Sequence, residues 1–468
     1  MEHSALTRPA PAPDRPAASR PAPTAEMAAW LAAFRPADLT PAARAWARAC
    51  LLDWSAVTVA GAAEPLAGIL RDELASGDGA ASGARLVAGG GRRASLTDAA
   101  LINGAMSHAL DFDDVHRRMH GHPTVAIAPA VLALAEATGA SGDRVLAAFV
   151  AGLEVAGALG AMMDDAHYEH GFHATATVGT VAAAAGCAQL MGLDAERAGW
   201  ALSLAGTQAA GLKANFGTMA KPLHAGRAAS NGLLAARLAA RGFTARPDGL
   251  ECEQGFGPTL SSAFSPAPFR PDPAAAFEVE SVLFKYHAAC YLTHSTVEAL
   301  ASLRAETGIG ADDLDRLVLH VPVTHTRVCD IRDPRSGLDV KFSIRSLAGL
   351  ALMGADTAAL DLYTDATARD PKVAALRERV EIDPRPLGDG PRHGAAITLT
   401  TRDGRTLRAE ANVGVPASDL LAQQGKLEAK ARAIATPAIG EARAEAMIAA
   451  AAGLDAAPDL TALLDAIC

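Results

Sequence analysis

Aromatic side chains are scarce here, only 4% of 468 residues, although half of the residues are hydrophobic. A core of that size has to be made from Ala, Leu and Val. This argues against a β-sandwich and for closely packed helices. With 20% charged residues the chain is too apolar to be disordered throughout, and its length corresponds to two or three domains. Cysteine is sparse as well. Six are scattered, and no C-x-x-C occurs, so a zinc ribbon or an iron–sulfur cluster has no motif and a reducing cytoplasm is the expected setting. There is no Lys/Arg run and the net charge is −10, which speaks against a nucleic-acid partner. Neither G-x-x-x-x-G-K-[ST] nor G-x-S-x-G is present, so nucleotide binding and serine hydrolysis lack their motifs. The scarcest charge is lysine: seven residues, Lys213, Lys221, Lys285, Lys341, Lys372, Lys426 and Lys430, against 35 arginines. Codon bias accounts for the ratio, but the two cations are not interchangeable, so each lysine is a candidate.

Residues 1–24 hold six prolines and no apolar block, and read as a disordered Pro/Ala-rich tail rather than a secretory signal. From Glu26 to Ser265 the pattern is helical, with starts marked at Thr97, Ser141 and Asp194. The run Val145 to Met163 has the length of a membrane span. It carries Glu154 and small residues, and reads as a buried core helix, so no membrane partner is expected. Residues 266–273 (PAPFRPDP) break the pattern. Beyond them, residues 316–321 alternate like a strand, and residues 395–413 read as a hairpin around Asp403-Gly404, with helical stretches near 343–353 and 371–379. From about 417 the chain is helical again and is expected to rejoin the first helical unit.

Polar residues concentrate in four segments of this apolar background. Residues 107–123 (SHALDFDDVHRRMHGHP) hold four histidines and three aspartates. A metal site is one reading, but no ligand spacing of fixed geometry such as H-E-x-x-H is present. The other is that Asp111, Asp113 and Asp114 cap helices or hold a turn. His122, before Pro123, falls at a helix boundary and could exchange protons near neutral pH. In residues 167–177, His173 precedes a helix of small residues, a position that disfavours its charged form. A core histidine bonded to backbone is the alternative. Residues 211–231 place Lys213, Lys221, His224 and Arg227 in a glycine-punctuated loop and the start of a helix. A cation at a helix N-terminus opposes the macrodipole, which suggests an anion nearby. Residues 284–298 (FKYHAACYLTHSTVE) crowd Lys285, His287, Cys290, Tyr291 and His294 at the domain junction, a favoured place for small-molecule sites. A plain buried thiol suits Cys290 better than a nucleophile. Cations beside imidazoles suit a small polyanionic substrate whose carbanion needs fixed donors and a base.

The runs NGAMSHALDFDDVH…HGHP (103–123), GFHATATVGTVAAAAGCAQLMGLD (171–194), GTMAKPLHAGRAASNG (217–232), KYHAACYLTHS (285–295) and KFSI (341–344), in this order, resemble the MmgE/PrpD family. The resemblance implies a mainly α fold, with a large all-helical domain built from N- and C-terminal parts and an inserted, smaller α+β lid domain. The expected boundaries are 25–283 and 415–468 for the helical domain and 284–414 for the lid. It also implies a homodimer, no cofactor and no metal, and a small anionic carboxylate substrate. By resemblance Asp111, His122, His173 and Lys221 are the catalytic positions, with the two histidines as acid and base. Lys221 and Lys285 hold the substrate carboxylates, Asp111 orients a catalytic group, and Lys213, His224, His294 and Tyr291 are further substrate-binding candidates.

Two departures bear on the reaction. In the family's cis-aconitate decarboxylase a threonine follows the double aspartate, where this chain has Val115, and a histidine of the junction motif is Cys290 here. His294 or Tyr291 would then have to supply the proton. The expectation drawn is a hydro-lyase similar to 2-methylcitrate dehydratase. An epimerase similar to iminodisuccinate epimerase is the alternative, with the decarboxylase and a non-catalytic anion-binding protein behind.

Overall fold

The computed structural model describes residues 21–75, 83–272, 275–386 and 393–468. The tail expected over 1–24 lies outside the described residues up to residue 20. At its end Pro23 already opens the first helix, and Thr24 is buried.

Helices α1 (Pro23–Ala33), α2 (Pro41–Gly61), α3 (Pro65–Leu74), α4 (Leu96–Ser107), α5 (Thr124–Thr138), α6 (Gly142–His170), α7 (Ala174–Leu190), α8 (Ala195–Gly206), α9 (Ala220–Ala240) and the short α10 (Phe256–Leu260) form the first unit. Thr40 and Asp194 accept from backbone amides as N-caps of α2 and α8. For α4 the capping residue is Ser95, two positions before the expected Thr97, because Ser95 Oγ accepts from the Asp98 amide. Helix α7 is buried along almost its whole length. It packs against α6 and α9, and α9 packs against α4. Alanine and glycine make these crossings close: a Cβ on Gly104 would stand 2.9 Å from the Gly226 Cα. Helix α6 is long and apolar enough to cross a membrane, yet 89% of its apolar window is buried in the fold. Of the tract 266–273, the described part is strapped to α1: Phe269 stacks edge-on against Trp30 at 5.5 Å, and its amide donates to Glu26.

Two short ribbons, β1 (Ala84–Arg85) with β2 (Arg93–Ala94) and β3 (Val115–His116) with β4 (Val282–Leu283), tie loops together. The second brings the histidine-rich loop beside the domain junction. The α+β unit then runs through α11 (Tyr291–Thr307), β5 (Leu314–Pro322), α12 (Val323–Cys329), α13 (Gly337–Lys341), α14 (Ile344–Met353), α15 (Asp365–Ala368), α16 (Pro371–Arg377), β6 (Val380–Arg385), β7 (Gly394–Thr401) and β8 (Thr406–Asn412). Its sheet has the order β6-β5-β7-β8. The parallel β5–β6 pair is bridged by the helical crossover such pairs need, and β7–β8 is the hairpin around Gly404. Helices α17 (Leu420–Ile439), α18 (Glu441–Ala452) and α19 (Thr461–Ile467) return to the first unit, with α17 and α18 packed on α2.

The α4–α9 crossing makes a clear prediction. A Cβ at Gly226 would overlap the Leu101 carbonyl oxygen. Gly226→Ala should lower unfolding stability by about 3 kcal/mol, the upper range for overpacking. An unchanged urea midpoint would show that the helices are not that close.

Candidate active site

The loop after α4 turns sharply at Asp111, whose φ of 52° is left-handed, a region that aspartate tolerates better than most residues. The turn presents consecutive carbonyls outward, and a lysine reaches each. Lys341 Nζ donates to Leu110 O at 3.2 Å, Lys285 Nζ to Asp111 O at 2.6 Å, and Lys430 Nζ to Phe112 O at 2.7 Å. Lys430 also donates to Lys285 O at 2.9 Å and pairs with buried Asp53 at 2.6 Å.

The Asp111 carboxylate lies between two ammoniums, Lys221 Nζ at 2.7 Å and Lys285 Nζ at 3.2 Å. Burial alone would raise its pKa. The two lysines outweigh burial and hold it well below the usual carboxylate range. For Lys221 burial pulls downward, Asp111 overrides it, and the net shift is up. Lys221 stands in the first turn of α9, so the anion expected opposite that helix start is the protein's own Asp111.

Asp113 lies behind, between two imidazoles. His108 Nδ1 is 2.9 Å from its Oδ1. His122 Nδ1 is 2.8 Å from its Oδ2, close enough for an ion pair though not aligned as a hydrogen bond. His122 Nε2 faces Asp111 Oδ1 at 3.8 Å. Burial lowers the His108 pKa to about 4, so it is neutral at pH 7. Asp113 is held low despite burial by the two histidines and stays ionised. A carboxylate at Nδ1 favours the tautomer that leaves Nε2 free as a base. His173 caps α7. Burial first, then the neighbouring histidines and Lys221, push its pKa well below the ordinary value. Its Nδ1 is 3.2 Å from His224 Nδ1, so one ring donates and the other accepts. The rings form a chain, with His122 to His108 at 4.6 Å, His108 to His173 at 5.8 Å and His173 to His224 at 5.4 Å.

The structure therefore brings together Asp111, His122, His173, Lys221, Lys285 and His224. Lys213 turns away, onto Tyr168 O at 2.8 Å and the Tyr168 ring at 3.6 Å. His294 is 3.2 Å from Ala289 O, and Tyr291 donates to Val413 O. These two rings line a separate cavity of about 350 Å³ between the two crossings that join the units. Sequence reading did not assign His108, Asp113, Lys341 or Lys430 a place here. The spacing of His108 and Asp113 around the Asp111 turn was a readable signal, whereas Lys430 arrives from more than 300 residues away.

His108, Asp111, Asp113 and His122 offer ligand atoms within 4.8 Å of one another. A divalent ion there would have to share Asp111 with two ammoniums and Asp113 with two imidazoles. The electrostatics fit a nest for proton transfer and carboxylate binding better than a metal centre.

Packed helices around a loop that gathers lysines, aspartates and histidines define the class of protein. Within it, this chain belongs to the MmgE/PrpD family. The MmgE/PrpD N-terminal domain matches residues 25–268 and the C-terminal domain residues 287–456. The chain is 30% identical over 384 residues to cis-aconitate decarboxylase of Homo sapiens, covering 78% of each. It is 29% identical over 326 residues to the Mus musculus protein of that name, covering 66% of each. To that of Aspergillus terreus it is 33% identical over 240 residues, covering 47% of this chain and 48% of that one. Asp111, His122, His173 and Lys221 fall in the first family match and Lys341 in the second. Lys285 falls between them.

Two stability predictions follow from the layer beneath the site. Burial raises the Asp114 pKa to about 8, with Asp53 and Asp113 adding to the shift against the hydrogen bonds from Thr124. The folded state thus holds a proton that the unfolded chain releases near pH 4. This contribution is full below pH 4, falls as pH rises toward 8 and stays lost above. Asp114→Asn cannot ionise, so its melting temperature relative to wild type should climb between pH 5 and pH 8.5; parallel curves would count against the assignment. Lys430→Met leaves Asp53 buried and unpaired, and should cost about 3–5 kcal/mol in chemical denaturation.

Proposed function

We propose that this protein is a lyase acting on a small polycarboxylate through a carbanion, and that decarboxylation of a cis-aconitate-like unsaturated tricarboxylate is its reaction. The observation that carries this reading is the Asp111 clamp. Lys221 and Lys285 share one carboxylate and keep donor capacity for a substrate, beside His122 Nε2 at 3.8 Å and the His173–His224 pair. The relatives named cis-aconitate decarboxylase favour loss of CO2 over other fates.

In this reading the bond to the leaving carboxylate breaks and its electron pair passes into the conjugated carboxylate that remains. Lys221 and Lys285 balance that charge in a dry site, where fixed cations act strongly. A proton then adds to carbon, so each turnover consumes one proton and releases one CO2. His122, backed by Asp113, is placed to carry it, with His173 as the second candidate.

A second reading, dehydration of a 2-hydroxy polycarboxylate such as 2-methylcitrate, is favoured by two features. Cys290 caps α11 beside Lys341 with a buried thiol, where the resemblance implies a histidine proton donor in the decarboxylase. Val115 is likewise engaged in the β3–β4 ribbon, with no hydroxyl to offer. We further propose that the α+β unit acts as a lid. We also propose a homodimer, supported by the exposed apolar Leu212 and Met219, and a cytoplasmic location, supported by six cysteines that are all free.

Proton NMR in D2O distinguishes the fates. Cis-aconitate should lose CO2 and gain one deuterium. A new alkene from 2-methylcitrate would establish dehydration, and inversion with exchange alone would establish an epimerase. Lys221→Met and His122→Asn should each lower kcat by about 10²–10⁴-fold with the fold intact. Activity within threefold of wild type in either would remove that residue from its role.

A further inference from the structure

Lys341 stands on the last residue of α13, in the α+β unit, across the site from the helical body. Its side chain donates to Leu110 O, the carbonyl next to the one held by Lys285. The two ammoniums thus grip acceptors one peptide unit apart on the loop that carries Asp111. Among the described residues, no carboxylate comes within ion-pair distance of Lys341. Asp111 Oδ1 is taken by Lys221 and Lys285.

Donor counting sharpens the contrast. An ammonium has three N–H groups. Lys285 gives one to Asp111 O and stands 3.2 Å from the Asp111 carboxylate, so part of its donor capacity is committed. Lys341 has a single hydrogen-bond acceptor, Leu110 O, with the Tyr363 ring 5.3 Å away, and so keeps donors to spare. Lys221, Lys285 and Lys341 converge on this loop turn, where Asp111 is the carboxylate in contact with Lys221 and Lys285, and Asp113 lies behind it against the histidines. Lys341 is half-buried, so a positive charge with spare donors and no carboxylate in contact stands where an incoming anion can complete it. Burial lowers the Lys341 pKa, and Lys285 and Lys221 push the same way, opposed by Asp111 and Glu64. The position is rigid: the Lys341 carbonyl accepts from the Cys290 amide at 3.0 Å, and α13 is closed by a Ser336–Asp339 capping box.

We propose that Lys341 is a substrate-binding residue that holds a carboxylate remote from the reacting carbon, and that it makes the enzyme prefer tricarboxylates over dicarboxylates. The inference rests on the polycarboxylate reading above and names the residue that counts the carboxylates. Lys221 and Lys285 serve the reacting end beside His122, and Lys341 serves the far end.

The test uses two matched pairs, cis-aconitate with maleate and citrate with malate. In each pair the second compound lacks one –CH2–COO⁻ arm. Binding to the full-length protein is measured by calorimetry, and turnover by NMR on whichever compound reacts. Lys341→Met should weaken cis-aconitate and citrate binding at least 30-fold while changing maleate and malate less than threefold. On a reacting tricarboxylate KM should rise with kcat within threefold. Lys341→Arg should recover part of the tricarboxylate affinity. An equal loss on both members of each pair, no loss on either, or a fall in kcat at constant KM would overturn the proposal. Lys341→Gln, which keeps a donor for Leu110 O, guards against misfolding; a normal melting curve with wild-type tricarboxylate affinity would overturn it too. Calorimetry does not depend on turnover. Selective binding without product would sink the lyase reading and leave the role of Lys341 standing, whereas turnover with no tricarboxylate preference would do the reverse.

Discussion

Three buried lysines and the half-buried Lys341, gathered around one loop turn, set the terms for the rest of the molecule. Lys341, Lys285 and Lys430 take the carbonyls of Leu110, Asp111 and Phe112 in succession, and Lys221 takes the Asp111 side chain. These residues come from an α+β helix end, a domain crossing, a C-terminal helix and the start of α9. None could be held in a low-dielectric interior without an acceptor. Closing the fold and assembling the site are therefore one event. The return of α17 to α2 is what delivers Lys430 to Asp53 and Phe112. The left-handed turn at Asp111 is tolerable because the carbonyls it exposes are satisfied by charged donors.

The poverty in aromatics serves the same end. Alanine and glycine on α4, α7 and α9 let these helices approach closely, with His108 and His173 buried beside them. Burial then separates the protonation states. His108 and His173 are driven toward neutral imidazole and Asp114 toward neutral acid, while Asp111, against two lysines, and Asp113, against two imidazoles, keep their charge. Neutral bases next to a fixed positive surplus are the combination that carbanion chemistry requires.

The sequence was most readable where one periodicity or one turn decides the outcome. The alternation over 316–321 lies inside β5, the Asp403-Gly404 turn joins β7 to β8, and the apolar run with Glu154 is the buried α6. Asp111, His122, His173, Lys221 and Lys285 stood out because charge is rare in their surroundings. The partnerships were hidden. That Asp113 spans two imidazoles, or that Lys221 finds its anion in Asp111, depends on which way a loop turns, and local pattern does not report that. Lys430 is one of seven lysines that the sequence does not tell apart, and the packing of α17 on α2 buries it. Lys213, His294 and Tyr291 carried the same signal as the site residues. Their acceptors are backbone carbonyls, Tyr168 O, Ala289 O and Val413 O, that sequence alone does not reveal.

The division of groups between the two units says what a substrate would do mechanically. Asp111, Asp113, His122, His173 and Lys221 belong to the helical body, Lys285 to the crossing after β4, and Lys341 to the α+β unit. Among the described residues, one backbone carbonyl, Leu110 O, is the hydrogen-bond acceptor that holds the Lys341 ammonium against the body. A polycarboxylate that met Lys221 and Lys285 at one end and Lys341 at the other would replace that single neutral acceptor with a charge-assisted bond across the junction. Such bonds are shorter and roughly twice as strong as neutral ones. Substrate binding would then draw the two units together and expel water from the imidazoles at the moment when a neutral base and a dry site are needed.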